Sequence, residues 1–100
     1  DYISFYPPVI NDEKITDLVR SIATDLVETP FGIVPECQTM GGEDMSFFLQ
    51  QVPGCYFFLG SANPDRSLAY PHHHPRFDFD ETALSTGVEM FVRCVEKYCN

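Results

Sequence analysis

Three consecutive histidines, His72, His73 and His74, stand before Pro75 in the interior of the chain. Neutral imidazole is the commonest transition-metal ligand, and histidines near carboxylates suit zinc or manganese. In an extended segment side chains alternate, so His72 and His74 would share one face and His73 would take the other. The cluster predicts a metal site that uses one histidine while the others face water or carboxylates. The alternative is a solvated loop, or a histidine packed against Phe77.

A second candidate group is Met40-Gly41-Gly42-Glu43-Asp44, which lies between an apolar run and a helical pattern. Adjacent glycines allow close backbone approach and can aim free amides at an anionic group of a ligand. The carboxylates of Glu43 and Asp44 can orient a histidine or support a bound metal. The alternative interpretation is a tight turn that leads into an acidic helix N-terminus.

Apolar periodicity indicates the elements that must position these groups. Residues 1–6 alternate like a short strand, and Asn11 is expected to cap a helix that runs to about Glu28. Residues 55–59 are apolar throughout, as in a strand covered on both faces. The other predicted elements are a strand at 33–37, a short helix with the stripe Met45, Phe48, Leu49 and Val52, a loop at 61–75, and a final helix that Asp80-Glu81 opens, with the stripe Leu84, Val88, Phe91, Val95 and Tyr98.

Strands that alternate with helices predict an α/β fold, in which a sheet is layered between helices. The chain has 100 residues and 11.4 kDa, which is room for a single core. The acids that precede the final helix are expected to cap it rather than to take part in catalysis.

Composition excludes several classes of partner. Fifteen acidic against six basic residues give a formal charge of −9, which disfavours nucleic acid and anionic membrane surfaces. No apolar stretch approaches the roughly 20 residues that span a bilayer. The four cysteines are scattered without a CxxC pair, which indicates reduced thiols. We therefore expect a soluble, cytoplasmic protein with no nucleic-acid or membrane partner.

Four blocks of sequence occur in a specific order: YPPVIND at residues 6–12, MGGEDMSF at 40–47, FFLG at 57–60 and HHPRFDFDE at 73–81. Together they resemble the metal-dependent amidohydrolase and aminoacylase family. The closest branch is the hippurate hydrolases and the N-acyl-amino-acid or indoleacetyl-amino-acid hydrolases of the zinc aminoacylase and carboxypeptidase family. The resemblance covers nearly the whole chain and corresponds to the final third of a family member.

The resemblance implies a division of the chain. Residues 1–6 would end the last strand of a lid domain, and residues 7–100 would form the C-terminal part of a catalytic domain. That domain is expected to be metallopeptidase-like, with a largely parallel sheet flanked by helices. Complete family members use one or two divalent metals, zinc or manganese, and are expected to form homodimers through the lid.

The resemblance also implies roles for individual residues. His73 matches the late metal ligand of the family, and Gly41, Gly42 and Glu43 would line the active site near the substrate. The other candidates, expected to orient these groups, are Asp44, His72 and His74.

The expected function is amide hydrolysis of N-acyl amino acids or small peptides by a metal-activated water. The remaining ligands and the general base would lie upstream, so this chain would be a fragment that carries no catalytic residue and is inactive alone. The alternatives are a standalone metal- or peptide-binding module that uses the loop at 72–74, and a purely structural domain.

Overall fold

The structure is a computed structural model that describes residues 1, 3, 5–27, 32–34 and 36–100. The chain divides into two compact units, residues 1–57 and residues 58–100. Within the described residues, no helix is long and apolar enough to cross a membrane. The helices are α1 (Glu13–Leu26), α2 (Met45–Leu49), a 3-10 helix (Pro64–Arg66) and α3 (Ala83–Cys99).

The first helix of the first unit begins one residue later than the sequence predicts. Asp12 is the N-cap, and its side chain accepts a hydrogen bond from the backbone amide of Ile15 at 3.0 Å. The prediction that Asn11 caps this helix is therefore wrong, because the Asn11 side chain is engaged elsewhere in the unit. The helix ends at Leu26, and the predicted end at Glu28 lies outside the described residues.

The residues buried in the first unit differ in part from those that helical spacing predicts. Ile22 of α1 is buried. In α2 the fully buried side chain is Ser46, whereas Phe48 and Val52 of the predicted stripe are 63% and 58% exposed. The predicted stripe is wrong for these two residues. The Val52 amide still donates to the Phe48 carbonyl at 3.0 Å, so helical spacing continues, and the buried face of α2 is the one that carries Ser46.

The second unit contains a short closed turn before α3. Asn63 and Leu68 form an isolated antiparallel bridge around the 3-10 helix. Ser67 closes this helix in the left-handed region, with a φ of 59°.

The last helix exists as predicted, but its buried face differs. Met90 is buried, whereas all five residues of the predicted stripe are more than half exposed. Gly87 explains which face of α3 is packed, because a Cβ atom at this position would lie 3.1 Å from Leu59 Cδ2. The face that contains Gly87 and Met90 therefore packs within the unit, and the sequence prediction of the buried face is wrong. The exposed stripe consists of Leu84, Val88, Phe91, Val95 and Tyr98.

The predicted sheet is not confirmed. No strand is assigned in the part of the chain that the structure describes, including residues 33–34, 36–37 and 55–59. A strand requires a ladder of hydrogen bonds to a neighbouring strand, and an apolar run alone does not supply one. Residues 2, 4 and 35 of the strands predicted at 1–6 and 33–37 lie outside the described residues. The α/β fold and the domain boundary after residue 6 stay predictions.

Candidate functional site

The carboxylate of Glu43 is held by two donors of the first unit. The hydroxyl of Tyr56 donates to Glu43 Oε2 at 2.9 Å. The backbone amide of Met45, at the start of α2, donates to Oε1 at 3.3 Å. The side chain of Glu43 is half-buried. Each carboxylate oxygen therefore accepts from one of these two donors, and a carboxylate has acceptor capacity for more than two donors.

Glu43, Asp44 and Tyr56 respond to one another electrostatically. Hydrogen bonding to the Asp44 carboxyl, and then to Tyr56 and the Met45 amide, lowers the pKa of Glu43. The same hydrogen bond and the negative charge of Glu43 raise the pKa of Asp44. The bond to Glu43 also raises the pKa of Tyr56. The contacts thus favour the ionised form of Glu43 and disfavour that of Asp44, and Tyr56 remains a donor at neutral pH.

Asn11 pairs with the backbone of Tyr56 on both sides. Its Oδ1 accepts from the Tyr56 amide at 2.8 Å, and its Nδ2 donates to the Tyr56 carbonyl, also at 2.8 Å. In the next residue, the Asp12 amide donates to the Gly54 carbonyl at 2.8 Å. Sequence reasoning missed both Asn11 and Tyr56 as members of this group. The available signal was Tyr56 itself, since a hydroxyl within an apolar run normally finds a partner when it is covered.

Gly41 and Gly42 both make close contacts within the first unit. The Gly41 amide donates to Thr39 Oγ1 at 2.9 Å, so it is not a free amide aimed at an anion. A Cβ atom at Gly42 would lie 2.9 Å from the ring of Tyr6, so the close approach that this glycine allows is to a side chain of the same unit. The described glycines have no positive φ. The placement of Gly41 and Gly42 at an active-site lining stays a prediction.

The histidine segment consists of two successive turns and is not extended. The His74 amide donates to the Pro71 carbonyl at 3.1 Å, and the Phe77 amide donates to the His74 carbonyl at 2.9 Å. His73 occupies the third position of the first turn with a φ of 66°, in the left-handed region that non-glycine residues rarely adopt. The predicted alternation of the three side chains is therefore wrong, because a turn, unlike a strand, does not place successive residues on opposite faces.

The three histidines have different surroundings. His72 meets Phe77 edge to face, with ring centroids 4.7 Å apart, which confirms for this residue the alternative of packing against Phe77. The ring of His74 stacks on Tyr70 at 4.5 Å, and its Nδ1 accepts from the Arg76 amide at 3.1 Å. His73 is exposed at the tip of the turn, its ring 5.8 Å from that of His72.

Asp80 binds several groups of the second unit. The prediction that the acids before α3 cap this helix is not confirmed, because Thr82 is the N-cap and no side chain caps the first turn. The Asp80 carboxylate accepts from the amide and hydroxyl of this N-cap residue, Thr82. It also accepts from the Asn63 side chain and from Arg66, the latter at 3.1 Å. Hydrogen bonds from Asn63 and then from Thr82 lower the pKa of Asp80 to about 2. These contacts join the turn at residues 63–68 to α3, a role that sequence reasoning missed.

The predicted residues do not assemble a complete metal site. Among the described residues, no group of three or more histidine, cysteine, aspartate or glutamate side chains could hold an ion. The structure groups Glu43 with Asp44 in the first unit, and the histidines in the second. A catalytic zinc takes about three protein ligands and an open position. The donor set described here therefore offers at most part of such a site.

Comparison with known proteins identifies the family. The profile of Peptidase family M20/M25/M40 matches residues 1–97, and the chain belongs to this family. This confirms the resemblance to metal-dependent amidohydrolases that the four sequence blocks indicate.

Several relatives are identical to this chain at about a third of the aligned positions. Thermostable carboxypeptidase 1 of Saccharolobus solfataricus is 35% identical over 95 residues, which are 95% of this chain and 23% of that protein. IAA-amino acid hydrolase ILR1-like 6 of Arabidopsis thaliana is 29% identical over 97% of this chain and 21% of its own length. N-acetyl-L-cysteine deacetylase of Bacillus subtilis is 35% identical over 78% of this chain and 17% of its own length. The chain spans about a quarter or less of these relatives. No solved structure matches it.

Proposed function

We propose that these residues are the C-terminal part of a metal-dependent hydrolase that cleaves the amide bond of N-acyl amino acids or small peptides. The observation that carries this proposal is the family match over residues 1–97. Relatives named as a carboxypeptidase, an IAA-amino acid hydrolase and an N-acetyl-L-cysteine deacetylase support the substrate class. In this proposal residues 1–6 end a lid strand, and residues 7–100 complete a cytoplasmic α/β catalytic domain whose dimer forms through the lid.

His73 is the proposed ligand for one of the metal ions, zinc or manganese. Its neighbours have other contacts, since His72 packs on Phe77 and His74 uses Nδ1 to hold the turn. His73 is exposed and sits in a strained left-handed conformation. Such conformations concentrate at functional sites, where surrounding structure maintains them.

A divalent metal held in part by His73 would supply an activated water and would stabilise charge that develops on the amide oxygen. The residues of this chain position groups around that chemistry. His73 presents its imidazole from the tip of a turn that His74 and Tyr70 brace. Glu43 presents an ionised carboxylate that can accept a hydrogen bond from a substrate. The other ligands and the general base are expected from upstream sequence.

Histidine variants of the full-length hydrolase that contains this sequence test the proposal. We expect His73→Ala to abolish hydrolysis of a panel of N-acyl amino acids and to lower the metal content measured by mass spectrometry. His74→Ala is the matched control and should retain more of both. Equal retention of activity in the two variants would contradict the assignment of His73. Equal loss of zinc binding from any one of the three histidines would favour a standalone binding module.

A further inference from the structure

Glu43 needs a partner to hold one orientation. It lies directly before Asp44, the N-cap of α2, and its side chain has several rotatable bonds. The Met45 amide contact at 3.3 Å is long, whereas the Tyr56 hydroxyl contact at 2.9 Å is an ordinary strong distance. Hydrogen bonds to a charged acceptor are about twice as strong as those between neutral groups. Tyr56 therefore holds the Glu43 carboxylate more tightly than the Met45 amide does, and it acts beside the hydrogen bond from Asp44.

Tyr56 is itself anchored at its backbone. Asn11 bonds its amide and its carbonyl at once, which fixes both the position and the direction of the peptide units around Tyr56. The bond from the Asp12 amide to the Gly54 carbonyl adds a third tie between the same two segments. The start of α1 thus holds the segment from which the Tyr56 hydroxyl reaches Glu43.

We propose that Tyr56 is a positioning residue that orients the Glu43 carboxylate toward a donor group of the substrate, and that Asn11 maintains this arrangement. The inference rests on the proposed function, which places Glu43 near the substrate. A hydrogen-bond donor such as the N–H of an amide or amine is the group that fits, because the two carboxylate oxygens keep acceptor capacity beyond the donors Tyr56, Met45 and Asp44. In this chain of contacts Asn11 holds Tyr56 and Tyr56 holds Glu43. Only Glu43 would contact the substrate.

A double-mutant cycle in the full-length hydrolase tests this chain of contacts. Tyr56→Phe removes only the hydroxyl, and we expect it to lower kcat/KM about tenfold, the effect of losing a hydrogen bond to a charged group. In a Glu43→Gln background the same change should have no further effect, because Tyr56 acts through Glu43. Asn11→Ala should behave like Tyr56→Phe in both backgrounds. Tyr98→Phe, on the exposed stripe of α3, is the matched control and should leave kcat/KM unchanged.

A second measurement tests the link between Tyr56 and Glu43 without relying on enzyme activity. NMR titration of the Glu43 carboxyl should show its pKa rising in Tyr56→Phe and staying unchanged in Tyr98→Phe. Equal losses of kcat/KM from Tyr56→Phe in the two backgrounds, no loss at all, or an unchanged Glu43 pKa would each overturn the positioning role. A parent enzyme that hydrolyses no N-acyl amino acid or peptide would overturn the proposed function, and the positioning role with it. An active parent with an additive cycle would overturn the positioning role alone.

Discussion

Asn63 donates its side-chain amide to the carboxylate of Asp80, 17 residues later in the chain. Arg66 and Thr82 bind the same carboxylate, and the Asp80 amide donates to the Ser61 carbonyl at 2.9 Å. These bonds close the base of the loop that carries the three histidines. The conformation of the loop should therefore depend on Asp80.

Asp80→Asn should destabilise the protein. The substitution keeps the shape of the side chain but replaces one acceptor oxygen with an NH₂ group, which would face the donors Asn63, Arg66 or Thr82. We expect the melting temperature of the full-length protein to fall by roughly 2 to 4 °C. Differential scanning calorimetry measures this, with Asp78→Asn as the exposed control. An equal shift in both variants would contradict the role of Asp80.

The contribution of Asp80 should also depend on pH. Its pKa is lowered in the folded protein from an ordinary 3.8 to about 2, so the folded state favours the charged form. A lowered pKa gives stability that is complete above the unfolded value and is lost as pH falls through the folded value. The difference in unfolding free energy between the parent and Asp80→Asn should thus be constant above about pH 4 and shrink between about pH 4 and 2. Urea unfolding at a series of pH values measures it, and a constant difference down to pH 2 would contradict the prediction.

Substitutions of His73 should differ in stability but not in activity. Because its φ is positive, glycine is tolerated there better than alanine. We expect His73→Gly to be more stable than His73→Ala by about 1 kcal/mol, while both lack hydrolase activity. Ser67, with a φ of 59°, is the control. Ser67→Gly and Ser67→Ala should differ in the same direction while both remain active. Equal stabilities of the two His73 variants in urea unfolding would contradict the strained turn.

Ser46 should contribute measurably to the free energy of unfolding, although its side chain is small. It is fully buried, and its hydroxyl donates to the Glu43 carbonyl at 2.6 Å. Ser46→Ala should cost about 1 kcal/mol of unfolding free energy, because the bond is lost away from solvent. Ser85 is a matched control on α3, since its hydroxyl donates to the carbonyl three residues before it but is exposed. Ser85→Ala should cost less than about half as much in the same urea titration, and equal costs would contradict the prediction.

Local patterns predicted the helices well and their packing less well. Apolar residues at three- and four-residue spacing located α1, α2 and α3, because helical periodicity is a property of residues close together in the chain. The same patterns misplaced the buried face of α3, since Leu84 and Phe91 are exposed and Met90 is buried. An apolar stripe indicates that a face of a helix can be buried. Whether that face is buried depends on which residues pack against it in the folded chain.

By itself, the sequence determined the family, through four ordered blocks that the match over residues 1–97 confirms. It also drew attention to Glu43 and to the three histidines. Only the tertiary structure decided that Tyr56 holds Glu43, that Asn11 holds Tyr56, and that His73 occupies a left-handed turn. The Glu43–Tyr56 and Asn11–Tyr56 contacts join residues 13 and 45 positions apart. Helix and turn patterns extend over only a few residues, so contacts at such separations depend on how the chain folds back on itself.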